Sequence, residues 1–216
     1  MNLELEQIKP VDIEKRSFQI IDEILKKEYP DVLIKKEEEP IVKRVIHTTA
    51  DFEYLDTLCF CHDAVKRGKE ALQRGVCIVT DTQMVKSGIN KKFVEHLGGE
   101  VYCFMSDEDV AQMAKKQNIT RAMASMDKAA ALKKPLIFAI GNAPTALVRI
   151  YELIEKKQLQ PELIIGVPVG FVNVVQAKQM ILTLDVPSIV AKSRKGGSNV
   201  AAAICNALLY ELIQRK

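Results

Sequence analysis

The stretch Arg-Val-Ile-His-Thr-Thr-Ala-Asp at residues 44–51 sets a guanidinium and an imidazole three positions apart. On a helix that spacing puts Arg44 and His47 on one face. A neutral imidazole beside an arginine suits proton transfer near neutral pH, with the cation holding an anionic group of a substrate. A packed, structural His47 fits the same residue types equally well. The other two histidines carry plainer readings. His62 follows Cys59 and Cys61 in Cys-Phe-Cys-His-Asp. A tetrahedral zinc site calls for a second ligand pair at a set spacing, and none follows. The two thiols therefore read as buried groups on a short strand. His96 precedes two glycines, where an imidazole complements a helix C-terminus.

Three further clusters carry groups that bind anions. In Gly141-Asn142-Ala143-Pro144-Thr145, glycine permits a sharp turn and proline suits the first turn of a helix. Free N–H groups at such a start can hold a carboxylate or phosphate, and ordinary αβ-turn chemistry is the competing reading. Lys192, Arg194 and Lys195 crowd the end of another apolar run, followed by Gly196, Gly197 and Ser198 as a natural N-cap. Thr80 and Asp81 open a third polar run, Thr-Asp-Thr-Gln. The phosphate-loop spacing and the Gly-x-Gly-x-x-Gly fingerprint are both missing, so a nucleotide is not indicated.

The elements that must position these groups follow from periodicity. Residues 11–28 repeat apolar side chains at helical spacing, and a second helix over 41–49 carries His47 near its end. From residue 64 onward, helix-length patterns alternate with apolar runs at Val76–Thr80, Val101–Phe104, Leu136–Ile140, Leu163–Val167 and Ser188–Ala191. Runs that are apolar on both faces, joined by helices, imply parallel strands with right-handed crossovers. The expected fold is α/β: a single three-layer doubly wound domain over 1–216 with a mainly parallel sheet. A helical segment at 10–50 precedes an α/β core at 55–214. In such sheets ligands bind beyond the carboxyl ends of the strands. Those ends here read TDTQ, GNAPT, GVPVGF and AKSRKGGSN, rich in the polar groups that the strand bodies lack.

Composition excludes several classes. The formal net charge of +3 implies no strong field for nucleic acid. No stretch has the roughly 18 apolar residues of a membrane span. Residues 1–18 carry charges throughout, unlike a signal peptide. Five cysteines, an odd number on apolar runs, suit reduced thiols in a cytoplasm.

Together, EKRSF at 14–18, VKRVIHTTAD at 42–51, IVTDTQMVKSGI at 78–89, NITRAM at 118–123, AIGNAPTAL at 139–147, GVPVGFVNVVQAK at 166–178 and VAKSRKGGSNVAAAICNALLY at 190–210 resemble the precorrin-8X methylmutases. The likeness runs in order from about residue 10 to 212. It implies an isomerase of cobalamin biosynthesis. Such an enzyme moves a methyl group from C-11 to C-12 of precorrin-8 or its cobalt form, giving hydrogenobyrinic or cobyrinic acid. It implies no cofactor, methyl donor or metal site of its own, with cobalt arriving only inside the substrate. It implies His47 as the proton-moving residue, Arg44 and Ser17 as substrate contacts, and a homodimer with the macrocycle near the subunit interface. A flat tetrapyrrole polycarboxylate needs anion donors around an apolar slot. Arg16, Ser17, Arg44, Thr80, Asp81, Arg121, Asn142, Thr145, Lys192 and Arg194 are the candidates. A non-catalytic corrinoid carrier on the same fold, and a phosphate-handling enzyme using the 192–199 loop, are the competing expectations.

Overall fold

The computed structural model describes residues 6–213. Residues 1–5 and 214–216, which belong to the expected span of the domain, lie outside the described residues.

Sheet formation starts from the apolar runs. Leu136–Ile140 is buried at every position. So are Cys77–Thr80, Leu163–Gly166 and Ser188–Ala191. Strands covered on both faces have this pattern. In chain order the strands are β1 (Leu58–Cys61), β2 (Cys77–Thr80), β3 (Val101–Tyr102), β4 (Leu136–Ile140), β5 (Leu163–Gly166) and β6 (Ser188–Ala191). They form one six-stranded sheet in the order β1-β6-β5-β4-β2-β3. All neighbours are parallel except β1, which runs antiparallel to β6 with Cys61 opposite Ser188. Thr-Leu-Cys-Phe-Cys thus supplies an edge strand, the reason the sheet is mainly rather than wholly parallel. β3 is shorter than its apolar run, because it is an edge strand with β2 as its one neighbour and Cys103 and Phe104 leave the ladder for the interior.

The helices are α1 (Ile13–Glu28), α2 (Glu39–Thr49), α3 (Tyr54–Thr57), α4 (Ala64–Gln73), α5 (Gln83–Gly88), α6 (Lys91–His96), α7 (Glu108–Gln117), α8 (Arg121–Ala131), α9 (Pro144–Glu155), α10 (Val174–Leu182) and α11 (Ser198–Leu212). They divide between the two faces. One core joins the sheet to buried residues of α1, α2, α4, α5, α6 and α11. The other joins it to α7, α8, α9 and α10. The parallel strands therefore reverse direction of travel between β2 and β4, the switch point of a doubly wound sheet.

Two helices matter most for the site. α11 is Ala-rich and buried over most of its surface, from Val200 to Leu209. Its small side chains let neighbours approach closely: a Cβ added at Gly88 of α5 would lie 2.7 Å from the Cβ of Ala202. α2 packs Ile41, Val42, Val45 and Ile46 inward and ends at Ala50, whose left-handed backbone (φ 53°) turns the chain away. Farther along, Gly141 sits where the β4 turn meets the start of α11, and a Cβ there would lie 2.7 Å from Ser198 Cα and 2.8 Å from Gly197 O. These are backbone atoms of a buried turn, so neither side can yield cheaply. Gly141→Ala is expected to lower stability by about 1–3 kcal/mol, read as a lower urea midpoint. An unchanged midpoint would show that the two loops do not meet as described.

Candidate active site

With the apolar side of α2 turned inward, Arg44, His47 and Thr48 are left on its rim. They border a hollow of about 350 Å³ whose floor is Gly88, Ala202 and Ala203 and whose far wall is Asn199, Asn206 and Tyr210. His47 also borders a second hollow of about 290 Å³, lined by Ser17 and by apolar side chains that include Ile20, Ile24 and Phe52. The imidazole therefore stands on the wall between two hollows, one bordered by Arg44, Asn199, Asn206 and Tyr210, the other mainly by apolar side chains. Its ring stacks on Phe18, with centroids 5.0 Å apart and planes within 13°. That contact fixes the ring's plane while leaving its nitrogens uncommitted: among the described residues no hydrogen bond or ion pair holds either one.

Arg44 is held from three sides. Its guanidinium lies 4.7 Å from the Phe18 ring centroid and 5.3 Å from that of Tyr210, and it pairs with Glu14 of α1. Aromatic faces on both sides of a guanidinium favour the cation and limit its motion. Phe18 thus serves both members of the Arg44–His47 pair. Ser17 reaches the apolar hollow, but its hydroxyl donates to Ile13 O at 3.0 Å. It must rotate away from that carbonyl to donate to a ligand.

The loop after β6 adjoins the same end of α2. Lys195 Nζ pairs with Asp51 and Glu53, each at 2.6 Å, just beyond the helix. These carboxylates hold the Lys195 ammonium well above its usual range, and Lys195 in turn lowers the Asp51 carboxyl. Lys192 and Arg194 stay exposed on this loop. Ser198 does not act as the N-cap of α11, a role that falls to the Gly197 position. Its hydroxyl instead lies 3.0 Å from Thr82 Oγ1, joining the β2 and β6 ends.

Two expected ligand-binding residues are structural. Asp81 is fully buried. Its Oδ1 accepts from Gly141 N at 2.9 Å, and its Oδ2 accepts from Asn142 N at 2.8 Å and Ala143 N at 2.6 Å. The turn before α9, expected to offer free N–H groups to a bound anion, is filled by the protein's own carboxylate. Burial pushes that carboxyl above its usual range, and the three backbone donors oppose the shift. Thr80 is also fully buried, donating to Tyr102 O and Thr82 O at 3.1 Å. Neither residue is placed to touch a substrate.

Other candidates lie apart from His47 within one chain. Arg16 pairs with Glu6 and Glu23 and borders a separate hollow on the outer side of α1. Arg121 lies at the start of α8, on the opposite layer of the sheet, beside Glu108, Gln112 and Lys115. Thr145 shares a hydrogen bond with Thr120 at 3.0 Å, while Asn142 is exposed beyond β4. Elsewhere, His62 pairs with Asp185 at 3.0 Å. Among the described residues no group of three His, Cys, Asp or Glu side chains is arranged to hold a metal ion. None of the described helices is long and apolar enough to cross a membrane.

Phe18, Gly88, Asn199, Asn206 and Tyr210 were not among the expected site residues. Three of them had a readable signal. Asn199, Asn206 and Tyr210 recur at helical spacing along an otherwise apolar sequence, marking the polar stripe of α11. Asn206 also steadies the pocket rim: it accepts from Asn90 N and donates to Gly88 O, both at 2.8 Å.

A doubly wound α/β chain with an imidazole free of hydrogen bonds among the described residues, set between two hollows, and cations on the adjoining loop, has the makings of an enzyme for a large anionic ligand. The comparisons narrow this class. The family model for precorrin-8X methylmutase matches residues 12–211. The cobalt-precorrin-8 methylmutase of Salmonella typhimurium is 46% identical over 205 residues, covering 94% of this chain and 96% of that one. That of Leptospira interrogans is 44% identical, covering 92% of each. The crystal structure of a precorrin-8X methylmutase from Thermus thermophilus superposes with a TM-score of 0.81 at 36% identity, over 92% of this chain and 96% of that one. The chain belongs to the precorrin-8X methylmutase family. It is an isomerase of cobalamin biosynthesis that moves a methyl group within its substrate.

Asp81→Asn tests the role given to the buried carboxylate. An amide has one acceptor oxygen for three N–H donors, so at least one buried donor loses its partner. Such a loss costs about 1–3 kcal/mol, and the expected readout is a lower unfolding midpoint. A variant as stable as the parent would return Asp81 to the list of ligand-binding residues.

Proposed function

We propose that the chain moves a methyl group from C-11 to C-12 of cobalt-precorrin-8, with His47 as the group that gives and takes the proton. The observation that carries this is the imidazole standing unbonded on the wall between the two hollows, its plane fixed by Phe18. A proton delivered to the macrocycle redistributes its π electrons and loosens the bond between C-11 and its methyl group. The bond to C-12 forms as that bond breaks, and the proton returns to the imidazole. No methyl donor, oxidant or reductant enters this balance, so a cofactor has no part in it. The names of the relatives at 44–46% identity support a cobalt-bearing substrate; the metal belongs to the substrate.

Arg44, Ser17, Lys192 and Arg194 serve as donors to the acetate and propionate groups. Charge-assisted hydrogen bonds of this kind anchor the rim of a ring. Each hollow is small for a tetrapyrrole, since pockets for much smaller ligands run from about 300 Å³ upward. The ring must span both, with a further surface closing over it. Met84, Val169, Phe171 and Val172 are exposed apolar side chains just beyond β2 and β5, and Phe171 is 86% exposed. They suit burial against a second copy of the chain, and a homodimer would also give Arg121 a place near a bound macrocycle.

His47→Ala is the direct test. Conversion of cobalt-precorrin-8, followed by absorption, is expected to slow by about 10²–10⁴-fold with binding changed little. A variant that converts at the parent's rate would overturn the role of His47. A parent that binds the tetrapyrrole without converting it would be a carrier.

A further inference from the structure

Lys178 is the one lysine among the described residues that is fully buried. It lies on α10, and its Nζ donates to Ser193 O at 2.6 Å and Lys195 O at 2.8 Å. Burial lowers its pKa to about 8, with no carboxylate acting to restore it. A buried amine without an anionic partner is costly to keep. Methionine would fill much of the space without that charge but would leave the carbonyls of Ser193 and Lys195 without this donor, so what the amine supplies is its hold on those two carbonyls.

What it touches is the loop that carries Lys192 and Arg194. The carbonyls of 193 and 195 turn inward to Lys178, and the side chains of 192 and 194 stand out in solvent. The carbonyl between them, Arg194 O, accepts from Gly170 N at 3.2 Å. The loop is closed below by Gly197 N donating to Val167 O at 2.9 Å. Gly196 admits no side chain there, since a Cβ would lie 2.1 Å from Val167 O. At its outer edge Lys195 ties it to Asp51 and Glu53, next to the helix of His47. Every carbonyl from 193 to 195 is thus committed, two of them to one side chain.

We infer that Lys178 is a positioning residue for substrate binding: by holding two alternate carbonyls of the 192–197 loop, it aims Lys192 and Arg194 at the substrate's carboxylates. The inference rests on the proposed role of those two cations and deepens it. Lys178 touches no substrate itself. Its effect reaches the reaction through the loop, so it governs how well the substrate is held more than how fast the methyl group moves.

The test uses the full chain with cobalt-precorrin-8 in a double-mutant cycle of Lys178→Met and Arg194→Ala. In Lys178→Met, KM and the dissociation constant are expected to rise about tenfold or more with kcat within about threefold. Arg194→Ala is expected to weaken binding in the parent but to add less than about twofold in the Lys178→Met background, because contacting groups are not additive. Equal fold-losses in both backgrounds, or unchanged KM, would overturn the inference. So would a kcat that falls with the folded fraction while KM holds, which marks a merely structural lysine. If Lys178→Met does not fold, Lys178→Gln keeps a neutral donor for the loop carbonyls and is expected to raise the dissociation constant about threefold or more with kcat little changed; a folded Lys178→Gln that binds like the parent would overturn the inference. A parent that binds but does not convert the substrate would defeat the proposed function alone, since the dissociation constants still report on the loop.

Discussion

The carboxylate of Asp81 ties the end of β2 to the turn after β4 through three backbone N–H groups. That is the switch point of the sheet, where a doubly wound fold opens the crevice that holds its ligand. Here the crevice is closed from within. Gly141 on one side of it abuts Ser198 on the other, and the Thr82–Ser198 hydroxyl pair adds a second tie. His47 borders a separate hollow, where α2, α5 and α11 meet. It lies on a helix outside the alternating pattern and is brought to the strand ends by packing on α11.

The site is assembled from weak and strong elements in a definite order. Apolar burial along α2 and the small side chains of α11 set the two helices close together, which alone brings Arg44 toward Tyr210. Phe18 then orients both the imidazole and the guanidinium. Electrostatics acts last. The Lys195 pairs with Asp51 and Glu53 are partly exposed, and pairs of that kind contribute little to stability. Their value lies in geometry, since they join the cationic loop to the end of the helix that carries His47.

Much of the fold could be read from the sequence. Leu136–Ile140 and its counterparts are apolar on both faces, and such runs have one common use, the inner strands of a parallel sheet. The alternation from residue 64 gave the two helical layers, and Arg44 and His47 do share a face as their spacing implied. What was not legible depends on partners far away in the chain. Asp81 looks like any carboxylate beyond a strand end, and the groups that consume it lie 60 to 62 residues later. Thr80 fails for the same reason, its acceptor Tyr102 O being 22 residues on. Arg121 and Arg16 lie apart from His47 within one chain, and residue type carries no information about which layer or which side of a helix a side chain occupies. Ser198 was a sound N-cap by type, and its hydroxyl was claimed by Thr82 across the sheet edge.

The central claim is that the macrocycle lies against His47 across the two hollows. A crystal structure with the corrin product bound tests it most directly. The imidazole is expected within hydrogen-bonding or contact distance of the ring edge at C-11 and C-12, with carboxylates on Arg44 and on the 192–194 loop. A product bound at the ends of β2 and β4, or anywhere that leaves His47 facing solvent, would contradict it.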